Sequence, residues 1–206
     1  MAEALGVILC GGRALRMGGA DKGFCEIGGR ALLDHVIERL GPQVSGLVLN
    51  ANGDPARFSR CSLPVVADGV AGFPGPLAGV LAGMDRAAER GVGRIVTAAW
   101  DTPFFPRDLA ARLAAAAEEE GVPLAMAVTP EKGRLARHPT FGLWDVGLRD
   151  DLRAALAAGV RKVVAWTEPR GCARAVFPVG PFDPFFNVNA PEDLEIAARI
   201  WREHRP

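Results

Sequence analysis

Leu5-Gly-Val-Ile-Leu-Cys10 is a short apolar run that stops at Gly11-Gly12. An apolar run of this length, bounded by glycines, is typical of a buried strand. Open α/β sheets bind their ligands at the carboxyl ends of the strands, so the two glycines lie where a ligand is expected. This stretch therefore predicts the fold class and the place of a site.

Strands and helices alternate on either side of this run. Apolar runs predict strands at residues 46–50, 64–67 and 94–99, and helical spacing predicts helices at 30–40, 77–88 and 106–120. Beyond Gly121 the pattern loosens, with strands expected at 122–129 and 140–144 and helices at 146–157 and 191–202. This rhythm predicts one α/β domain of three layers, a mostly parallel central sheet with helices on both faces.

The composition argues against several classes of protein. Because 24 Lys+Arg balance 24 Asp+Glu, bulk charge gives no support for nucleic-acid binding. No apolar stretch approaches the roughly 18 residues of a membrane helix, and the acidic N-terminus does not resemble a signal peptide. The four cysteines form no C-x-x-C pair and are expected to be free thiols. We expect a cytoplasmic protein without a membrane partner.

Residues 9–22 carry two glycine pairs and two cations, Arg16 and Lys22. Glycine pairs let backbone N–H groups approach a phosphate, and the cations would balance the charge of a polyphosphate. The spacing is neither that of a P-loop nor G-x-G-x-x-G. A glycine-rich turn with surface cations is the alternative, but the combination at a strand end favours a phosphate site.

Asp101 follows the apolar run of residues 95–99, at the same predicted edge of the sheet. A carboxylate there is well placed to hold Mg²⁺ against phosphate oxygens. Asp101 could equally cap a helix that begins near Pro103. The residues alone leave both interpretations open.

Asparagines supply the remaining candidates. Period-2 alternation places Asn187 and Asn189 on one face of a predicted strand end, where both amides could face a ligand, although Asn189 could also cap the helix at Pro191. Asn50 and Asp68 follow the second and third strands at the same edge. Each of these two is by itself an ordinary turn residue.

Residues 131–174 are locally basic, with nine Lys/Arg against five Asp/Glu. In a neutral protein this +4 excess, which includes Arg161, indicates where an anionic ligand could bind. Scattered surface charge explains the excess about as well.

The motif Leu9-x-Gly-Gly-x-x-x-Arg16-Met17-Gly18-x-x-Asp21-Lys22 resembles that of nucleotidyltransferases with a GT-A-like Rossmann fold. The whole chain is similar to one branch, the molybdenum cofactor guanylyltransferases, which join GMP from GTP to molybdopterin. Four further blocks carry the likeness: Pro74-Gly-Pro-Leu-Ala-Gly79, Trp100-Asp-Thr-Pro-Phe104, Arg137-His-Pro-Thr140 and Phe186-Asn-Val-Asn-Ala-Pro191.

The resemblance implies a Rossmann-like fold, an Mg²⁺ cofactor, and a nucleotide-binding half (1–105) before an acceptor-binding half (106–206). It assigns catalysis to Arg16, Lys22 and Asp101, with Asp101 also the metal ligand. Nucleotide binding is assigned to Leu9, Cys10, Gly11, Gly12, Lys22, Asn50, Asp68 and Asp101. Acceptor binding is assigned to Arg16, Gly19, Arg161, Asn187 and Asn189. Two residues depart from the family pattern: Cys10 replaces an alanine, and Trp100 adds a bulky group beside the metal site.

The chemistry agrees with this resemblance. Phosphoryl transfer depends mostly on positioning and charge neutralisation, and an acceptor phosphate needs no strong base. The expected partners are GTP, molybdopterin and, transiently, the proteins that deliver molybdopterin and mature molybdoenzymes; the chain itself is expected to be a monomer. Alternatives are a molybdopterin cytidylyltransferase, a sugar-1-phosphate nucleotidyltransferase and a non-catalytic nucleotide sensor.

Overall fold

A seven-stranded sheet runs through the protein in the computed structural model, which describes residues 3–11, 22–69 and 75–205. The strands are β1 (Ala4–Leu9), β2 (Glu26–Ile27), β3 (Arg30–Ala31), β4 (Gly46–Asn50), β5 (Val65–Val66), β6 (Arg94–Ala99), β7 (Leu124–Glu131), β8 (Arg134–Asp145) and β9 (Cys172–Val176). The order in the sheet is β5-β4-β1-β6-β8-β7-β9, and β2 and β3 form a separate hairpin. All neighbouring strands of the sheet are parallel except at β8, which is antiparallel to both β6 and β7.

Helices cover both faces of this sheet, which confirms the predicted three layers. They are α1 (Leu32–Leu40), α2 (Pro76–Glu89), α3 (Leu109–Glu120), α4 (Arg149–Ala157), α5 (Val163–Thr167) and α6 (Pro191–His204). Apolar side chains of α1 and α3 form a core with one face of the sheet, and those of α2, α4 and α5 form a core with the other. No helix in the described ranges is both long and apolar enough to cross a membrane.

The position of β1 sets the geometry of the ligand edge. All six residues of β1 are buried, and the strand pairs in parallel with β4 on one side and β6 on the other. Leu9 is opposite both Asn50 and Ala99. The carboxyl ends of three strands therefore lie in one row, as the apolar runs predicted.

The second half of the chain departs further from the sequence expectations. Strand β8 extends much beyond residues 140–144, and its pairing with β7 shifts register between Met126 and Ala127. Residues 146–148 form a 3-10 turn before α4, and α3 begins at Leu109 rather than at Pro106. Neither α5 nor β9 was predicted, because α5 is only five residues long and β9 buries only two small residues, Ala173 and Ala175.

A third core attaches α6 to the rest of the protein. Ile200 and Ala197 of α6 pack with Ile27 of β2, Leu32 of α1 and Val188. Val188 lies shortly before α6, and its N–H donates to the carbonyl of Asp101, so the flanking asparagines lie near the ligand edge of the sheet.

Candidate active site

Lys22, Asp101 and Asn189 meet at the carboxyl end of β6, and we call these three residues the lysine cluster. The ammonium Nζ of Lys22 is 2.8 Å from a carboxylate oxygen of Asp101 and donates a 2.7 Å hydrogen bond to Oδ1 of Asn189. The Lys22 and Asp101 side chains are only 14% and 11% exposed. Removing one partner of a pair this buried leaves an uncompensated charge, so the pair is strongly coupled.

The cluster excludes the capping interpretation of Asp101. Residues 102–108 form no helix, and the helix that follows, α3, has Asp108 at its N-cap position. The backbone carbonyl of Asp101 instead accepts a 2.9 Å hydrogen bond from the N–H of Val188. The carboxylate is therefore available for the lysine, because no helix N-terminus follows within reach.

Asn187 and Asn189 lie on a loop, so the prediction of a strand end there was wrong. Their alternation is nevertheless real: Val188 is fully buried, while both asparagines are exposed. The capping interpretation of Asn189 was also wrong, since Ala190 is at the N-cap position of α6. The carboxylate of Asp193 accepts hydrogen bonds from the N–H groups of Asn189 and Ala190, which leaves the Asn189 side chain to Lys22.

A second group of polar side chains, Asn50, Asn52 and Asp68, lies beyond β4, and we call it the amide–aspartate cluster. Asn50 Nδ2 and Asn52 Nδ2 donate to the two carboxylate oxygens of Asp68, at 2.9 and 2.7 Å. Asn52 Oδ1 accepts from the Asp68 N–H at 2.9 Å. Asn52 was missed from the sequence, although its spacing of two from Asn50 carried a signal.

The backbone of Leu9 and Cys10 joins the two clusters. The Cys10 N–H donates to the carbonyl of Asn50 at 2.8 Å, and the Trp100 N–H donates to the carbonyl of Leu9 at 3.3 Å. Gly11 follows with open space where its Cβ would be. The predicted residues Leu9, Cys10, Gly11, Asn50, Asp68 and Asp101 thus lie along one edge, whereas Gly12, Arg16 and Gly19 are outside the described residues.

Gly79, in the first half of α2, lets that helix approach the amide–aspartate cluster. A Cβ at this position would be 2.2 Å from Oδ1 of Asn50 and 2.8 Å from a Leu9 methyl group. Any larger residue would displace Asn50 from its contact with Asp68. This packing explains why the block that ends at Gly79 belongs with the site.

Trp100, the residue before Asp101, is buried against the turn that carries Lys22. Its ring is 3% exposed and packs with Phe24 and Phe58, at centroid distances of 6.2 Å to each. A Cβ on Gly23 would be only 2.2 Å from Cε3 of this ring. The bulky departure from the family pattern therefore supports the turn that carries Lys22 and does not block the lysine cluster.

Arg161, which the resemblance assigns to acceptor binding, lies on the segment between α4 and α5. Its Nη1 donates to the carbonyls of Leu156 and Val160, at 3.2 and 3.1 Å. Its own carbonyl oxygen is 3.8 Å from the Cβ position of Gly75, which directly precedes α2. The residue predicted to bind the acceptor is thus next to the N-terminus of α2.

The lysine cluster has the donor chemistry that Mg²⁺ requires. Carboxylate and amide oxygens from Asp101 and Asn189 converge on one cation, the Lys22 ammonium. Mg²⁺ is commonly held by one or two carboxylates together with substrate phosphates and waters. Across the described ranges no group of three His, Cys, Asp or Glu residues could hold a metal alone. The residues therefore fit a metal ion that binds together with a nucleotide.

Comparisons of the sequence with known proteins show which proteins this chain is similar to. The sequence profile of the MobA-like NTP transferase domain matches residues 6–171. A molybdenum cofactor guanylyltransferase from Nitrobacter hamburgensis is 50% identical over 198 residues, which cover 95% of this chain and 93% of that protein. One from a Bradyrhizobium species is 52% identical, with 95% and 92% covered.

Solved structures give the same result for the fold. The crystal structure of molybdopterin-guanine dinucleotide biosynthesis protein A from Archaeoglobus fulgidus superposes with a TM-score of 0.72 at 24% identity, covering 97% of this chain and 99% of that one. A protein from Aquifex aeolicus superposes with a TM-score of 0.70 at 18% identity, covering 91% and 94%. At these identities the structural likeness supports the fold alone.

Proposed function

The chain belongs to the molybdenum cofactor guanylyltransferase family of MobA-like NTP transferases, and we propose that it transfers GMP from GTP to molybdopterin. The observation that carries the proposal is about 50% identity to such enzymes over 95% of the chain. The lysine cluster at the carboxyl end of β6 supplies the charged groups that the reaction needs. The product would be the guanine dinucleotide form of the cofactor, with pyrophosphate released.

Lys22 and Asp101 perform the central step in this proposal. A phosphate oxygen of molybdopterin attacks the α-phosphorus of GTP, and the bond from that phosphorus to the β-phosphate oxygen breaks. Pyrophosphate leaves with the bonding electron pair, and Lys22, together with Arg16, balances its charge. Asp101 and Asn189 hold Lys22 in place before the substrates arrive.

Mg²⁺ is the cofactor we assign to Asp101. When bound, the ion would neutralise the charge of the phosphates as a Lewis acid. Asp101 would hold the ion, and Asn189 would keep the Lys22 ammonium in place, since the side-chain oxygens of both residues contact Nζ. The dependence on Mg²⁺ would be measured by titrating the ion into the purified, chelator-treated enzyme.

We assign the nucleotide to residues 1–105 and the acceptor to residues 106–206. The backbone of Leu9 to Gly11, the side chains of Lys22 and Asp101, and the amide–aspartate cluster lie near the carboxyl ends of β1, β4 and β6. Together with Gly12, these groups would bind GTP. Arg161, Asn187 and Asn189, together with Arg16 and Gly19, would contact molybdopterin. This division follows the sheet, in which β6 is central and β7 to β9 lie beyond it.

The base should be guanine because of the chemistry at Asn50 and Asp68. Guanine offers N1–H and N2–H donors, and carboxylate and carbonyl oxygens near this cluster can accept them. Cytosine offers acceptors at the corresponding edge, so a pocket built for guanine would leave buried polar groups unpaired with CTP. A cytidylyltransferase is the second candidate, and it would be favoured only if the pocket bound the acceptor edge of cytosine.

A panel of GTP, CTP, ATP and UTP with molybdopterin tests the proposal, with pyrophosphate release as the readout. We expect kcat/KM for GTP to exceed that for CTP by about 100-fold or more. Equal kcat/KM values for GTP and CTP would favour a cytidylyltransferase. Nucleotide binding without pyrophosphate release would instead indicate a nucleotide sensor. Turnover with a sugar 1-phosphate and none with molybdopterin would indicate a sugar-1-phosphate nucleotidyltransferase.

We further propose that the enzyme acts as a cytoplasmic monomer. Its acceptor must arrive from a molybdopterin-delivering protein, and its product must pass to proteins that mature molybdoenzymes. Both contacts would be transient, because each lasts only for one transfer of the cofactor.

A further inference from the structure

A cavity of about 160 Å³ opens between α5 and the sheet, away from the lysine cluster. Its floor is apolar and includes Met126, Val128 and Ala173, from β7 and β9. Its rim is charged and includes Arg137, Glu168 and Arg174. An apolar floor with a few polar groups at its rim is typical of a small-molecule site.

The rim of the cavity presents a hydrogen-bond acceptor, the Glu168 carboxylate, and a separate donor, the Arg174 guanidinium. Arg137 Nη2 is 2.9 Å from one oxygen of Glu168, whose side chain is 60% exposed. Arg174 is exposed and has no ion-pair partner within the described parts of the chain. A ligand in the cavity could therefore donate to a carboxylate and accept from a guanidinium without breaking a buried ion pair.

The register of the sheet fixes where the cavity lies. Thr97 of β6, Gly142 of β8, Met126 of β7 and Arg174 of β9 form one row across the sheet. Neighbouring strands are about 4.8 Å apart, so the floor of the cavity lies roughly 10 Å to the side of β6. Met126 and Leu9 share the core beneath α2, which puts the cavity on the same face as that helix.

The cavity and the amide–aspartate cluster lie on opposite sides of Asp101. The cluster lies next to β4 and β5, and the cavity lies over β7 and β9, with β6 between them. The attacking and leaving oxygens in phosphoryl transfer are roughly in line on opposite sides of the phosphorus. A nucleotide on one side and an acceptor on the other satisfy this requirement.

The volume of the cavity limits the ligand. Sites for drug-sized molecules occupy about 300 to 1,000 Å³, so this cavity is too small for a whole nucleotide. It is large enough for one flat heterocycle whose remaining atoms extend toward the lysine cluster.

We propose that this cavity binds the pterin ring of the acceptor by its 2-amino-4-oxo edge, an assignment that rests on the proposed function. The amino group and the adjacent ring N–H donate to Glu168, and the ring carbonyl accepts from Arg174. Guanine carries the same edge, so the shared chemistry is a 2-amino-4-oxopyrimidine. The position across β6 from the amide–aspartate cluster assigns the cavity to the pterin.

Binding of free pterin, followed by its own fluorescence, tests the proposal without requiring turnover. The comparison ligand is lumazine, a pteridine with a carbonyl in place of the 2-amino group. We expect the wild-type protein to bind pterin about tenfold more tightly than lumazine, because lumazine cannot donate from that position to Glu168. Glu168→Gln should abolish this preference, and Arg174→Ala should weaken both ligands.

Two exposed residues that do not line the cavity provide matched controls, Glu119→Gln near the end of α3 and Arg202→Ala in the last turn of α6. Both should bind pterin like the wild-type protein. Equal binding of pterin and lumazine by the wild-type protein would overturn the proposal. The proposal would also be overturned if GTP displaced bound pterin and if, in addition, Glu168→Gln bound pterin with the affinity of the wild-type protein.

Steady-state kinetics of the transfer reaction provide a second test of the proposal. With molybdopterin as the acceptor, Arg174→Ala should raise KM for molybdopterin about tenfold and leave KM for GTP unchanged. An increase in KM for GTP alone would assign the cavity to the guanine base and overturn the proposal. If the wild-type protein releases no pyrophosphate, the proposed function fails, while the pterin–lumazine comparison still decides the role of the cavity.

Discussion

At the scale of single residues, the lysine cluster pairs the Lys22 ammonium with the Asp101 carboxylate where both side chains are largely buried. The Lys22–Asp101 pair would be weak on the surface, but a buried pair leaves a costly lone charge when either partner is removed. Asn189 supplies a second oxygen for the same ammonium. The cluster therefore fixes Lys22 near the carboxyl end of β6, and in the proposed reaction a phosphate would replace one of its partners.

The contact between Gly23 and Trp100 predicts a rescue experiment. Gly23→Ala should lower kcat/KM for GTP by about tenfold to a hundredfold, because the new methyl group would collide with the Trp100 ring and displace Lys22. Trp100→Val removes that ring without breaking a hydrogen bond among the described residues. We therefore expect the double variant to be more active than Gly23→Ala alone.

The control is Gly93→Ala, at a glycine with open space where its Cβ would be. It should leave kcat/KM unchanged, and thermal unfolding of every variant would separate misfolding from misplacement of Lys22. A double variant less active than both single variants would contradict the account, since independent defects add.

At the scale of elements, an aromatic contact holds the loop before α6 against β8. The His138 ring stacks on Phe185 at a centroid distance of 4.2 Å, and its Nε2 is 2.9 Å from the hydroxyl of Thr129. Phe185 begins the segment that carries Val188 and Asn189. The stacking thus connects the antiparallel strand to the lysine cluster through a short loop.

This contact predicts a loss of stability in acid. Burial lowers the pKa of His138 from the ordinary value of 6.5, although Asp183 and Glu131 oppose the shift. Below 6.5 the unfolded chain therefore binds more protons than the folded one, and the stability that is present above 6.5 declines as the pH falls. His138→Gln should lose less free energy of unfolding than the wild-type protein between about pH 7.5 and about pH 5.

Urea denaturation at the two pH values provides the measurement. Burial also lowers the pKa of His35, so part of the acid sensitivity should remain in His138→Gln. His204→Gln, at the exposed end of α6, serves as the control and should follow the wild-type protein. An unchanged loss of stability in His138→Gln would show that His138 does not contribute.

At the scale of the whole molecule, the first half of the sheet was predictable because its strands are continuous apolar runs. Leu5 to Leu9 is buried at every position, which is the signature that a sequence pattern detects. Strand β9 buries only the small Ala173 and Ala175 and has Arg174 between them, so its hydrophobic signal is weak. Helix α5 is too short for helical periodicity to register.

The sequence singled out candidate site residues, and it did not predict the contacts between them. Asp101 and Lys22 each stood out at a strand end, but their sequence separation of 79 residues gave no local signal that they pair. The support of Lys22 by Trp100 was equally hidden, because only the folded chain brings Gly23 against that ring. The Lys22–Asp101 pair and the Gly23–Trp100 contact both depend on packing between residues distant in sequence. The resemblance to a family pointed to Lys22 and Asp101 but did not predict these contacts.

The most direct test of guanylyl transfer at the lysine cluster uses GTP labelled at the α-phosphate, with molybdopterin as acceptor. The wild-type enzyme should move this label into the dinucleotide product, and label at the γ-phosphate should appear in pyrophosphate. Asp101→Asn keeps an oxygen for Lys22 but loses the charge, so we predict transfer about a hundredfold slower, equivalent to about 3 kcal/mol. Asp108→Asn, an exposed change at the start of α3, should transfer label normally. Near-normal transfer by folded Asp101→Asn would contradict the account.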